Sequence, residues 1–290
     1  MKNLRVVLVP LFGSGIDAPC LDAALTIADR FGAHVQGLFV RIDPLDAIPV
    51  IGEGVSPAVI EQLTQAAAAE MERQGRAARA AFEGGCGERR VRLIEAPDEL
   101  GKASAGWIEL IGRRDELIPR KARVSDLTVL PRPDAETPPE LRSVLEATLL
   151  GAGRPLLIIP PGGGLTSGQT IAIAWSGSTE AARAVAGALP FLDGARMVHV
   201  LTAETWRTKA DVALDLVAYL GWRGIACQRR AVTGGENEPV GAALLRTATE
   251  VGAELMVMGG YGRTRFSELV LGGVTRHVLT AAELPLLVGH

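Results

Sequence analysis

Residues 254–289 read ELMVMGGYGRTRFSELVLGGVTRHVLTAAELPLLVG, and the rest of the chain is best understood outward from them. Leu255, Met256, Val257 and Met258 form an apolar run of the length of one buried strand. The run stops at Gly259-Gly260-Tyr261-Gly262, nine residues follow, and Gly272-Gly273-Val274-Thr275 opens a second apolar pattern. Val274, Val278 and Leu279 then recur at helical spacing, and Pro285-Leu-Leu-Val closes the stretch as a short strand. Glycines at a strand end and again at a helix start permit close approach of the backbone to a ligand. The unpaired N–H groups of a first helical turn, with the positive end of the helix dipole, favour an anion such as a phosphate. A tight structural loop is the plain alternative reading of the same glycines.

Composition sets bounds around this stretch. The chain has 290 residues, 48% of them hydrophobic, and no apolar run long enough to span a bilayer. Its N-terminal residues run directly into a short apolar strand, without the apolar core and cleavage site of a secretion signal. Cys20, Cys86 and Cys227 are scattered and odd in number, which suits reduced structural thiols in a cytoplasm. His34, His199, His277 and His290 show no metal-ligand spacing, so no metal site is expected. A net charge of −3 gives no reason to expect nucleic acid or a membrane surface as a partner.

From the N-terminus, apolar strand runs alternate with helical patterns. Strands are expected at 6–10, 34–40, 91–94, 127–130 and 155–159, and helices at 20–31, 58–82, 115–124 and 140–150. Glycines 84, 85 and 87 are expected to end the second helix, and the four alanines 66–69 to pack closely on a sheet. Trp107 to Leu110 fits either a strand end or a helical turn. Residues 43–57 read as a surface loop, and Pro160-Pro-Gly-Gly-Gly-Leu-Thr-Ser-Gly168 as the linker.

The pattern then restarts. Residues 170–174 form a strand ending in Trp175-Ser176-Gly177-Ser178, matching Leu11-Phe12-Gly13-Ser14, and Ala181, Ala182, Val185, Ala186 and Leu189 give a helix face. Strands at 196–201 and 226–232 and helices at 211–220 and 240–251 lead back to the opening stretch. This is an internal duplication whose alternating elements predict parallel sheets with helices on both faces. Ligands of such sheets sit beyond the carboxyl ends of the strands.

The copies are unequal. Aligning Leu127 with Leu255 sets Pro131 against Gly259 and Asp134 against Gly262, and aligning Pro155 with Pro285 sets Arg142 against Gly272. Proline donates no N–H, aspartate adds negative charge, and arginine fills phosphate space, so the first copy should bind no phosphate in this way.

The Gly-x2-Gly-x9-Gly spacing after a strand resembles the signature of the universal stress protein family, and the duplication resembles its tandem form. The resemblance implies an α/β fold of two Rossmann-like domains, each a five-stranded parallel sheet of order 3-2-1-4-5. The expected division is a degenerate domain at 1–160, a linker at 161–168 and a nucleotide-binding domain at 169–290. By resemblance, Ala174, Ser176, Val200 and Gly259 fall where the family contacts adenine and ribose. Gly262, Gly272, Gly273, Val274 and Thr275 fall where it contacts phosphate, with Arg263 and Arg265 as candidates to clamp a γ-phosphate or to lie solvated in the loop.

Two departures stand out. Gly273 replaces the family's usual Ser or Thr, with Thr275 as a partial substitute, and Ser176 stands where the family often has Asp. The implied ligand is ATP, ADP or AMP, with a Mg²⁺ ion that Glu268 could position, although a surface glutamate is the commoner case. The two edge strands at 155–159 and 285–288 are expected to pair as an intramolecular pseudo-dimer, with a homodimer as a further option. No Ser/His/Asp or Cys/His arrangement is readable, so regulation by binding is expected rather than efficient catalysis. A module that has lost its ligand and a slow ATPase stay open. An ATP-consuming synthetase is disfavoured, because Trp175-Ser176-Gly177-Ser178 lacks the later Gly and Asp of a pyrophosphatase-type loop.

Overall fold

The computed structural model describes residues 4–43, 56–97, 101–134, 137, 139–165, 169–203, 212–235, 238–260 and 273–290. The first half runs β1 (Val6–Leu11), α1 (Asp17–Phe31), β2 (His34–Arg41), α2 (Pro57–Glu88), β3 (Arg92–Leu93), β4 (Ser104–Ile111), α3 (Arg114–Ala122), β5 (Leu127–Pro131), α4 (Pro139–Gly151) and β6 (Leu156–Ile159). The second half runs β7 (Thr170–Ala174), α5 (Thr179–Leu192), β8 (Met197–Ala203), α6 (Val212–Trp222), β9 (Cys227–Val232), α7 (Val240–Glu250), β10 (Leu255–Gly259), α8 (Gly273–Ala281) and β11 (Leu286–Gly289).

All these strands join one sheet of order β3-β4-β2-β1-β5-β6-β11-β10-β7-β8-β9. Pairing is parallel within each half and antiparallel at the single junction of β6 with β11, where Leu157 faces Leu287. The strands expected to protect each other's edges therefore do so, leaving neither exposed. Equivalent positions follow from the ladders. Thr128 pairs with Leu156 as Met256 pairs with Leu286, so Pro131 and Gly259 occupy the same place.

Central strands are buried on both faces, which is why they read as unbroken apolar runs. Alternate residues divide between two cores. Val7, Val9, Ile171 and Val257 point toward α1, α2, α5 and α6, while Leu8, Ala172 and Met256 point toward α3, α4, α7 and α8. On α1 the expected face of Leu21, Ala24, Leu25, Ala28 and Phe31 is the buried one. On α5 the face is rotated. Ala181, Ala184, Val185, Ala188 and Phe191 are buried, while Ala182 and Ala186 are exposed.

Three expectations for the first half need correction. Its third full strand is β4, not residues 91–94, of which only Arg92 and Leu93 pair, at the sheet edge outside β4. Among the described residues the first half thus has six strands to the second half's five. Helix α2 passes through Gly84, Gly85 and Gly87 to Glu88. Tertiary packing overrides the glycine cost there: Gly85 lies so close to Leu21 that a Cβ would come within 3.1 Å, and Cys86 is buried beside it. The alanines at 66–69 are not a packed face. Helix α2 buries its later turns, through Met71, Gly75, Ala78 and Phe82, and exposes Ala66 and Ala69.

Candidate functional site

In both halves the loop leaving the first strand has the same backbone plan. Gly13 and Gly177 each hold φ of +74°. Phe12 and Ser176 precede them, and Asp17 and Ala181 follow four residues later in the first turn of α1 and α5. What fills the loop differs.

In the first half the loop is closed on the protein itself. The Asp17 carboxylate is buried and accepts the N–H groups of Phe12 (2.8 Å), Gly13 (2.7 Å) and Ser14 (3.3 Å). Burial raises its pKa, and these three hydrogen bonds and the nearby Arg114 charge oppose the rise. Arg114, only 7% exposed, lies over the Phe12 ring at 5.4 Å and the Phe39 ring at 5.8 Å. Its Nε donates to the Val40 carbonyl at 3.1 Å and its Nη1 to Glu140 at 3.3 Å. Helix α2 covers the loop so closely that a Cβ on Gly13 would meet the Gln74 carbonyl at 2.3 Å.

The turn after β5 also bonds to itself. Thr137 Oγ1 accepts the Asp134 N–H and donates to the Asp134 carboxylate, and Arg142 donates to the Asp134 carbonyl at 2.7 Å. Arg132 reaches across to the Thr280 carbonyl in the last turn of α8. A carboxylate and a guanidinium thus occupy the first half's cleft. Phe12 sits under that guanidinium, in the position Ser176 has in the second half.

Among the described residues, the same place in the second half carries no such plug. Ala181 stands where Asp17 stands, and a methyl group cannot accept hydrogen bonds from the N–H groups of Ser176 and Gly177. The loop is held instead by Trp175, whose Nε1 donates to the Val212 carbonyl at 2.8 Å. Ser178 caps α5 by accepting the Ala181 N–H at 3.1 Å, and Ser176 Oγ lies 3.1 Å from Ser178 Oγ at the surface.

The structure brings several of the expected residues to one edge. Ala174 ends β7 and pairs with Met258, next to Gly259 at the end of β10. Val200 is one residue before Leu201, the last β8 residue paired with β7, while β8 pairs with β9 as far as Ala203; it is fully buried, so only its backbone could meet a ligand. Because α8 connects the parallel strands β10 and β11, its N-terminus lies at this carboxyl edge too. Gly273 begins α8, and a Cβ added there would meet nothing within 4 Å. Val274 is exposed beside it. Gly262, Arg263 and Gly272 lie outside the described residues, as do Arg265 and Glu268.

Packing bears on two of the expected residues. Thr275 is 8% exposed and lies with Val278 and Leu279 on the packed face of α8. Gly259 owes its identity to packing: a Cβ would lie 2.5 Å from the Ala181 nitrogen, where the first turn of α5 crosses β10. The Asp17–Arg114 plug was not foreseen from sequence. Its only signal is an acidic residue in a first helical turn.

Other chemistry is sparse. Burial raises the thiol pKa of Cys20 and Cys227, and that of Cys86 to about 11, so none is poised as a nucleophile. Among the described residues no group of His, Cys, Asp and Glu could hold a metal, and no helix is long and apolar enough to cross a membrane.

The universal stress protein family model matches residues 168–290. The second half is a universal stress protein domain. Solved structures resemble the whole chain in fold. A universal stress protein from Archaeoglobus fulgidus DSM 4304 is 15% identical with a TM-score of 0.65, over 98% of this chain and 96% of that one. A functionally unknown protein from Pseudomonas aeruginosa PAO1 is 18% identical with a TM-score of 0.58, over 99% and 92%. No curated protein matches the sequence. The family match thus covers the universal stress protein half with the open loop, and the fold likeness covers both.

Proposed function

We propose that the universal stress protein domain at 169–290 binds one adenine nucleotide (ATP, ADP or AMP), and that the protein acts by regulated binding rather than by efficient catalysis. The observation that carries this reading is the contrast at one loop. The N–H groups of Phe12 and Gly13 are consumed by Asp17, whereas Ala181 leaves those of Ser176 and Gly177 to solvent or to a ligand oxygen. Ala174, Gly259 and the α8 N-terminus border the same edge, and α8 would set its first N–H groups and dipole toward a phosphate. The first half serves as a structural partner joined through β6 and β11. A Mg²⁺ ion would enter with the nucleotide phosphates, and a cytoplasmic setting fits the free thiols, of which Cys20 and Cys86 are buried.

Calorimetric titration of the full chain with ATP, ADP and AMP tests the reading. A stoichiometry near one per chain supports it. A value near two would show that the first half binds despite its plug, and no binding would favour a module that has lost its ligand.

A further inference from the structure

A concavity lies between the two halves, lined in part by Gly289 and His290 at the end of β11. Its volume is about 690 Å³, inside the roughly 300–1,000 Å³ typical of small-molecule sites. One wall is the start of β1, β5 and β6 in the first half, and the other is α5 with Arg223 and Ile225. Neither half alone contains it.

The lining has an apolar base and a charged rim. Leu4 and Ile225 are buried at the base, with Leu189 beside them. The charged and titratable side chains lining it are three guanidiniums, from Arg154, Arg183 and Arg223, two carboxylates, from Asp126 and Asp193, and the His290 imidazole. Asp126 is already engaged, accepting the N–H groups of Arg5 at 2.8 Å and Val6 at 3.0 Å. Arg154 is partly tethered to the Arg123 carbonyl, and Arg223 lies over the Tyr219 ring at 5.0 Å. Arg183 and Arg223 have no carboxylate partner among the described residues. Arginines without partners above an apolar floor suit an anion carried on an apolar body, because a guanidinium binds a phosphate or carboxylate through paired hydrogen bonds.

We propose that this cleft is a second ligand site, for a small molecule with a compact apolar body and one phosphate or carboxylate group, held by Arg183 and Arg223. None of Ala174, Ser176, Gly259 or Gly273 lines it, although its lining includes Gly289 and His290, which adjoin Gly259 and Gly260 at the end of β11, so competition by ATP is part of the test.

The test is calorimetric titration of the full chain with 1-naphthyl phosphate, with inorganic phosphate in parallel. One equivalent of 1-naphthyl phosphate should bind, more tightly than inorganic phosphate, and saturating ATP should not displace it. The Arg183→Glu/Arg223→Glu variant changes two exposed side chains and should keep its melting temperature while losing about tenfold or more in affinity for the probe. If it does not fold, Arg183→Gln/Arg223→Gln serves instead. Absence of binding by the unaltered protein, affinity indifferent to these substitutions, or displacement by ATP would each overturn the proposal.

Discussion

Gly273→Ser should strengthen nucleotide binding. Gly273 is the first residue of α8, its φ lies outside the left-handed region, and its missing Cβ points into space empty to 4 Å. A serine can therefore be added without strain, and its hydroxyl would stand beside the first N–H groups of the helix. If a phosphate binds there, the new hydrogen bond to a charged group should contribute about 1.5–3 kcal/mol. That is roughly a tenfold to hundredfold gain in ATP affinity. Replacing glycine at a helix start also removes backbone freedom from the unfolded chain, by about 0.5 kcal/mol, so the melting temperature should rise by about 1–2 °C. Gly273→Ala isolates that second effect, since it adds the Cβ without the hydroxyl. Both variants and the unaltered chain would be titrated with ATP by calorimetry and melted without ligand. The expected result is tighter binding for serine alone and a similar small stabilisation for both. If Gly273→Ser binds ATP no better than Gly273→Ala, no phosphate reaches the start of α8 and the reasoning fails.

Arg114→Ala should destabilise the protein by about 2–4 kcal/mol in urea unfolding, leaving ATP stoichiometry at one. Most of the loss comes from the Val40 carbonyl and the Phe12 and Phe39 rings, because Glu140 is 45% exposed and regains water; a cost below about 1 kcal/mol would contradict the plug. Gly259→Ala should cost about 1–3 kcal/mol in the ligand-free protein, since its Cβ would press on the α5 backbone; an unchanged melting temperature would refute the packing account. Burial lowers the pKa of His34 and His199 from the ordinary 6.5, favouring the neutral ring in the folded state. Their contribution is therefore whole above pH 6.5 and falls as pH drops below it, so the urea midpoint should decline on acidification and His199→Gln should flatten that decline.

The second half was the more legible in sequence, for a physical reason. Its strands β7, β10 and β11 are short, buried on both faces and set off by glycine or proline, so each reads as a separate apolar run. In the first half β4 begins Ser-Ala-Gly, buried for lack of size rather than for apolarity, and ends in the exposed Ile111, so period and burial disagree along it. Helix α2 misleads in the opposite way. Its glycines suggest a stop, yet Gly85 is the means by which the helix lies against Leu21 and Leu25. Local propensity lost to packing in both places.

The candidate site shows where such reading ends. Glycine spacing located the carboxyl edge of β10 and the start of α8, but it could not tell a glycine kept for a ligand from one kept for a neighbour. Gly259 yields its space to Ala181, whereas Gly273 yields its own to solvent. The plug in the first half was less visible still, because Asp17 and Arg114 lie far apart in the chain and polar partners carry no periodicity. The same loop geometry at Gly13 and Gly177 therefore has two outcomes, set by the residue four positions on. With aspartate the backbone N–H groups are satisfied within the fold and α2 can close over them. With alanine no described residue fills them, and a ligand oxygen could satisfy them without exposing the core.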